Sequence, residues 1–140
     1  MANTALAYFY RDACNDKTFI RREVLAGGLS RAEIAEIEAK LRALDDVPEN
    51  DYRSFIPSEL GLPDAQVEFL EKGYGYDEGI DHPYCELVQI EPTAESPTVT
   101  VSIGEFLVRL RELSRWDAAT AEARLQALAT RYPVTVEAVP

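Results

Sequence analysis

Ser30 and Glu33 stand three residues apart, just ahead of Ile34, Ile37, Leu41 and Leu44, and that arrangement leaves this stretch few conformations. A serine at a helix start accepts the N–H of the third helical residue, and a glutamate there reaches back to the serine N–H. The apolar spacings of three, four and three then draw one stripe along a helix, with Glu36, Glu38, Lys40 and Arg42 off it. A helix from about residue 31 to 44 is the anchor for reading the rest.

The residues before it follow a different period. Between residues 4 and 12, Tyr8 and Tyr10 fall on one side of an extended strand and Phe9 on the other. Ala13-Cys14-Asn15-Asp16 supplies turn chemistry. Phe19, Ile20, Val24 and Leu25 then form a second strand ending at Gly27-Gly28. The chain therefore opens as a β-hairpin.

After the helix, Pro48, Pro57, Gly61 and Pro63 prevent residues 45 to 63 from forming one regular element, with Phe55 and Ile56 as core anchors. Pro63 and Asp64 can open a short helix carrying Val67, Phe69 and Leu70, which must stop by Gly73. Gly73 to Gly79 reads as a loop. Tyr84, Leu87, Val88 and Ile90 mark a buried strand closed by Pro92, and Val99 and Val101 a short extended approach. Ser102 and Glu105 repeat the capping pattern before a helix to about Leu113. A further helix runs from about Asp117 to Arg131, and Val134, Val136 and Ala138 alternate as a final strand. A hairpin, a helix, isolated strands and then paired helices predict a single α+β domain over residues 1–140. Its sheet is antiparallel or mixed and is packed by about three helices.

Charge narrows the choice of partners. Residues 1–44 hold seven Lys/Arg against six Asp/Glu, residues 45–86 two against twelve, and residues 87–140 five against seven. Ten of the eleven net negative charges thus fall in the middle third, which disfavours nucleic acid and anionic lipid. Apolar runs are too short to span a bilayer, and the N-terminus lacks the basic leader of a secretory signal. A cytoplasmic protein is expected, with Cys14 and Cys85 reduced. The oligomeric state stays open.

Few residues offer chemistry. His82 is the one histidine, and His82-x-x-Cys85 with Asp77, Glu78, Asp81 and Glu86 nearby has too few soft ligands for a closed zinc site. Asp77, Glu78 and Asp81 lack the alternating register of a calcium loop. A cysteine within an apolar strand packs more often than it reacts. The glycines at 27, 28, 73 and 75 mark turns and cradle no phosphate, and no cofactor motif is present. Arg21, Arg22, Arg109, Arg111 and Arg115 sit among acids, as solvated faces or ion pairs.

Three stretches resemble a group of short bacterial proteins of unknown function: Tyr10 to Lys17, Phe55 to Pro63, and Asp81 to Leu87. Asp16 departs from that pattern, which commonly has an aromatic residue there. The resemblance implies a bacterial source and a compact α+β domain. It also directs attention to Arg11, Asp12, Asn15 and Lys17 at one hairpin end, a polar site if His82 and Glu86 approach it.

Three kinds of function follow. The acids of the middle third interleave with Tyr52, Phe55, Phe69, Tyr74, Tyr76 and Tyr84, so an immunity, antitoxin or inhibitor-like domain can bind a basic protein through Asp64, Glu68, Tyr74, Tyr76, Asp77 and Glu78. That reading is not catalytic. The alternatives are a small ligand-binding or enzymatic domain using Arg11, Asp12, His82 and Glu86, and a structural or oligomerising module.

Overall fold

The structure, a computed structural model, describes residues 2–45 and 53–135. Strand β1 (Asn3–Arg11) and strand β2 (Thr18–Leu25) form the antiparallel hairpin, followed by helix α1 (Arg31–Leu44). A two-residue strand β3 (Ser54–Phe55), a 3-10 turn (Pro57–Leu60) and a short helix α2 (Val67–Glu71) lead to strand β4 (Cys85–Thr93). Helices α3 (Ile103–Glu112) and α4 (Ala118–Ala129) follow. The strands form one sheet in the order β2-β1-β4-β3, and every pairing is antiparallel. Four α-helices are present among the described residues, where the sequence suggests about three.

The hairpin alternation sorts the two faces of the sheet. Leu6, Tyr8 and Tyr10 point into the core, where Tyr8 packs edge-on against Phe55 at 5.4 Å between ring centroids. Its hydroxyl donates to the Pro63 carbonyl oxygen at 2.6 Å, so the buried O–H is satisfied. Ile37 and Leu41 of α1 and Phe106, Leu107 and Leu110 of α3 complete the same cluster with Ile56 and Leu60. Phe9 pairs with Ile20 on the other face, and Ile20 remains 60% exposed. Val88 sits at a bulge where the β1–β4 register shifts, and it too is exposed.

The capping box is complete: Ser30 Oγ accepts from Glu33 N–H at 3.1 Å and Glu33 Oε1 from Ser30 N–H at 2.9 Å. The expected second box forms only by half: Ser102 Oγ accepts the Glu105 N–H at 3.1 Å, with no return bond from the Glu105 side chain among the described residues.

Other boundaries move. Helix α2 begins at Val67, later than Pro63–Asp64, because Asp64 Oδ1 accepts the Ser58 N–H and the Gln66 side chain bonds the carbonyls of His82 and Tyr84. Those bonds hold residues 64–66 as a turn. Strand β4 continues through Pro92, which faces Thr4 where β1 directs its own bonds to β2, so the missing N–H lies on the outer edge. The expected strand at Val99 and Val101 is absent. Instead Thr98 makes one bonded pair with Val24, donating its N–H at 2.9 Å and accepting at Oγ1 at 2.8 Å, before the chain turns to the α3 cap. Val134 is not in a strand, and Pro48, Tyr52, Val136 and Ala138 lie outside the described residues.

Candidate functional site

The end of the hairpin is built around two buried carboxylates. Asp12 gathers the loop that follows it: Oδ1 accepts the N–H groups of Cys14 and Asp16, each at 2.9 Å, and Oδ2 that of Lys17 at 3.0 Å. Asn15 takes a left-handed conformation at φ +59°, which asparagine tolerates better than most residues. Asp81 is the second hub. It accepts the Tyr10 hydroxyl at 2.5 Å, the Lys17 ammonium at 2.6 Å and the Asp77 N–H at 2.8 Å. The Lys17 and Asp81 side chains are only 9% and 4% exposed, so this ion pair joins hairpin and loop inside the protein. Burial first, and the Asp81 carboxylate second, push the Tyr10 phenol far above its ordinary range.

Beside this end opens a cavity of about 360 Å³, lined among others by Phe9, Arg11, Asp12, Asn15, His82 and Glu86. Arg11 and Glu86, on neighbouring strands, close an ion pair at 2.9 Å over the cavity, with the guanidinium 5.9 Å from the Phe9 ring. A second cavity of about 300 Å³ shares Ser54, His82, Tyr84 and Glu86 with the first and continues to Leu44, Asp45 and Trp116. Together they make one groove past the start of β4.

The His82 imidazole of this groove is committed to the backbone. Tyr84 N–H donates to His82 Nδ1 at 3.2 Å, which leaves Nε2 as the protonated nitrogen, donating to the Arg11 carbonyl oxygen at 2.8 Å. Neither nitrogen is free to take a substrate proton or a metal. The Cys85 thiol is buried, and that burial raises its pKa far above the ordinary thiol value, so the thiolate nucleophile is suppressed. Gln66, itself buried, braces the segment through the carbonyls of His82 and Tyr84. Among the described residues, no group of three His, Cys, Asp or Glu is placed to hold a metal ion.

The structure brings Arg11, Asp12, Asn15, His82 and Glu86 to one cavity, while Lys17 turns inward to Asp81. The six acidic and aromatic residues divide. Tyr74, Asp77 and Glu78 are exposed, and Glu78 Oε1 accepts from Gln126 at 2.8 Å. Asp64 is half-buried and bonded to Ser58, Glu68 pairs with Lys72 at 2.7 Å, and the Tyr76 hydroxyl is buried without a partner among the described residues. Desolvation of Asp64 raises its pKa above the ordinary aspartate value. The Asp77–Ile80 turn abuts the hairpin tip, since Ala13 N–H donates to the Ile80 carbonyl oxygen at 2.9 Å. Sequence reasoning missed Ser54, Gln66 and Trp116 in this region, because their roles depend on contacts 16 or more residues away along the chain.

No family model matches the chain, and neither a curated protein nor a solved structure matches it. Among the described residues no helix is long and apolar enough to cross a membrane.

Proposed function

We propose that this chain is a cytoplasmic bacterial recognition domain of the immunity, antitoxin or inhibitor kind that binds a basic protein without catalysing a reaction on it. The observation that carries the reading is the surface left around the groove once the buried pairs are removed. Tyr74, Asp77 and Glu78 stand outward beside the hairpin tip, and the groove adds the Glu86 carboxylate and the Tyr84 ring. With a net charge of −11 behind them, these groups attract a cationic surface at long range, and the rings supply contact at short range. Binding is favoured over catalysis because the His82 nitrogens and the Asp12 oxygens already hold backbone groups and Cys85 is buried.

The test is capture of a partner from host extract, followed by affinity measurements in rising salt. Steep weakening with salt, and loss of affinity in Asp77→Lys/Glu78→Lys, support the reading; a partner indifferent to both contradicts it.

The convergence of Arg11, Asn15, His82 and Glu86 on one cavity favours a second reading, a small polar ligand held in the groove. That ligand would protect Arg11 and Glu86 resonances in solution and would be lost in Glu86→Leu; a metabolite screen that perturbs no groove resonance removes it.

A further inference from the structure

Among the described residues, the outer edge of β2 is a long strand edge whose backbone faces outward. Asp12 N–H donates to the Lys17 carbonyl oxygen at 3.2 Å, so even-numbered β1 residues and odd-numbered β2 residues bond each other. Thr18, Ile20, Arg22 and Val24 therefore present their N–H and C=O groups to the other side. Val24 confirms the alternation, because both of its outward groups are taken by Thr98. Those of Thr18, Ile20 and Arg22 have no partner among the described residues. The opposite edge of the sheet is blunted: Arg53 caps it by accepting the Leu87 N–H at 3.1 Å and donating to the Val88 carbonyl oxygen at 3.2 Å, and Pro92 has no N–H to offer.

We propose that this edge pairs with the same edge of a second copy of the chain, antiparallel about Ile20, joining two four-stranded sheets into one. The register is self-complementary. Ile20 meets Ile20, Thr18 meets Arg22, and Phe19 meets Arg21, so no two like charges stand directly opposite. Exposed Ile20 and its half-buried neighbour Phe9 then form a continuous apolar strip across the joint. The ends of the pairing are set by Thr98, which plugs Val24, and by the hairpin turn after Asp12. Charge points to a second copy as well. Arg22 is already held by Glu91 at 3.5 Å and by Glu95 at 2.5 Å, and residues 1–44 are nearly neutral while the remainder carries the acid excess. Arg21 is likewise held by Glu23 at 2.9 Å, so two copies meeting at this edge bring charges together that are already paired.

The proposal is independent of the basic partner and has the opposite salt response. Screening weakens repulsion between the copies, so the dimer tightens as salt rises, whereas the basic complex loosens. Sedimentation of the full chain across concentration and salt is expected to show that dimer. Ile20→Lys, which alters only an exposed side chain, places two ammonium groups face to face and weakens the dimer about tenfold or more with the monomer still folded by circular dichroism. In a Cys14→Ser background, Ile20→Cys crosslinks into a covalent dimer under mild oxidation, and Val88→Cys on the capped edge does not. A chain that stays monomeric at every salt, an Ile20→Lys dimer as tight as the original, or equal crosslinking at both positions overturns the proposal. So does a monomer that captures an extended foreign peptide at Ile20.

Discussion

Asp81 and Asp77 lie four residues apart in one acidic loop, yet they belong to different physical regimes. Asp81 is enclosed, holding a phenol, an ammonium and a backbone N–H. Asp77 is exposed, and among the described residues its Oδ1 accepts only the Gly79 N–H, at 2.9 Å. The same contrast separates Asp12, which knits the hairpin loop, from Glu78 on the surface. A run of acids in sequence is thus two populations, one folding the chain and one facing its surroundings, and only the second can meet a partner.

Mutating the enclosed population should have the largest effects. Asp81→Ala leaves the Lys17 ammonium buried without its counter-ion, and urea unfolding should show a loss of about 3–5 kcal/mol. Lys17→Met together with Asp81→Leu should recover a large part of it, since an apolar pair removes both charges; no recovery would mean that the Tyr10 and Asp77 bonds matter more. Asp12→Ala frees three N–H groups at the hairpin tip, each able to find water only in part, for an expected loss of about 1–3 kcal/mol by the same measurement.

Milder effects are expected toward the surface. Glu86→Gln breaks an ion pair that solvent screens, and stability should change by less than about 1 kcal/mol. Asp64 adds a test through pH. Its folded pKa is raised, so the folded state holds that proton more tightly than the unfolded chain, and its contribution falls as pH rises from the ordinary aspartate value through the folded one. Asp64→Asn should therefore flatten the stability–pH curve in that acidic window, and unfolding at a series of pH values checks the sign. Asp77→Lys with Glu78→Lys should shift stability by no more than about 0.5 kcal/mol per site.

Much of the framework was legible because it is local. The Ser30–Glu33 box, the Tyr8/Tyr10 alternation and the Gly27-Gly28 stop are read within a few residues, and the α+β class follows from their order. What stayed hidden depends on distant pairing. The sequence places Lys17 in the polar set at the hairpin end with Arg11, Asp12 and Asn15, but Asp81, 64 residues away, draws it inside. Val99 and Val101 looked extended, but only Thr98 finds a strand edge to bond. The sequence posed the convergence of Arg11, Asp12, Asn15, His82 and Glu86 as a condition on the fold, whereas the commitment of His82 and Asp12 to backbone partners depends on geometry it does not carry.

The exposed acids of the middle third are the ones proposed to meet a basic partner, while the enclosed ones hold the fold. The most direct test of that division is the salt dependence of partner affinity for the original chain and for Asp77→Lys/Glu78→Lys, both shown to be equally stable. A steep loss of affinity with salt is expected in the original chain, and weaker, flatter binding in the variant. Equal affinities and equal salt slopes in the two chains would contradict it.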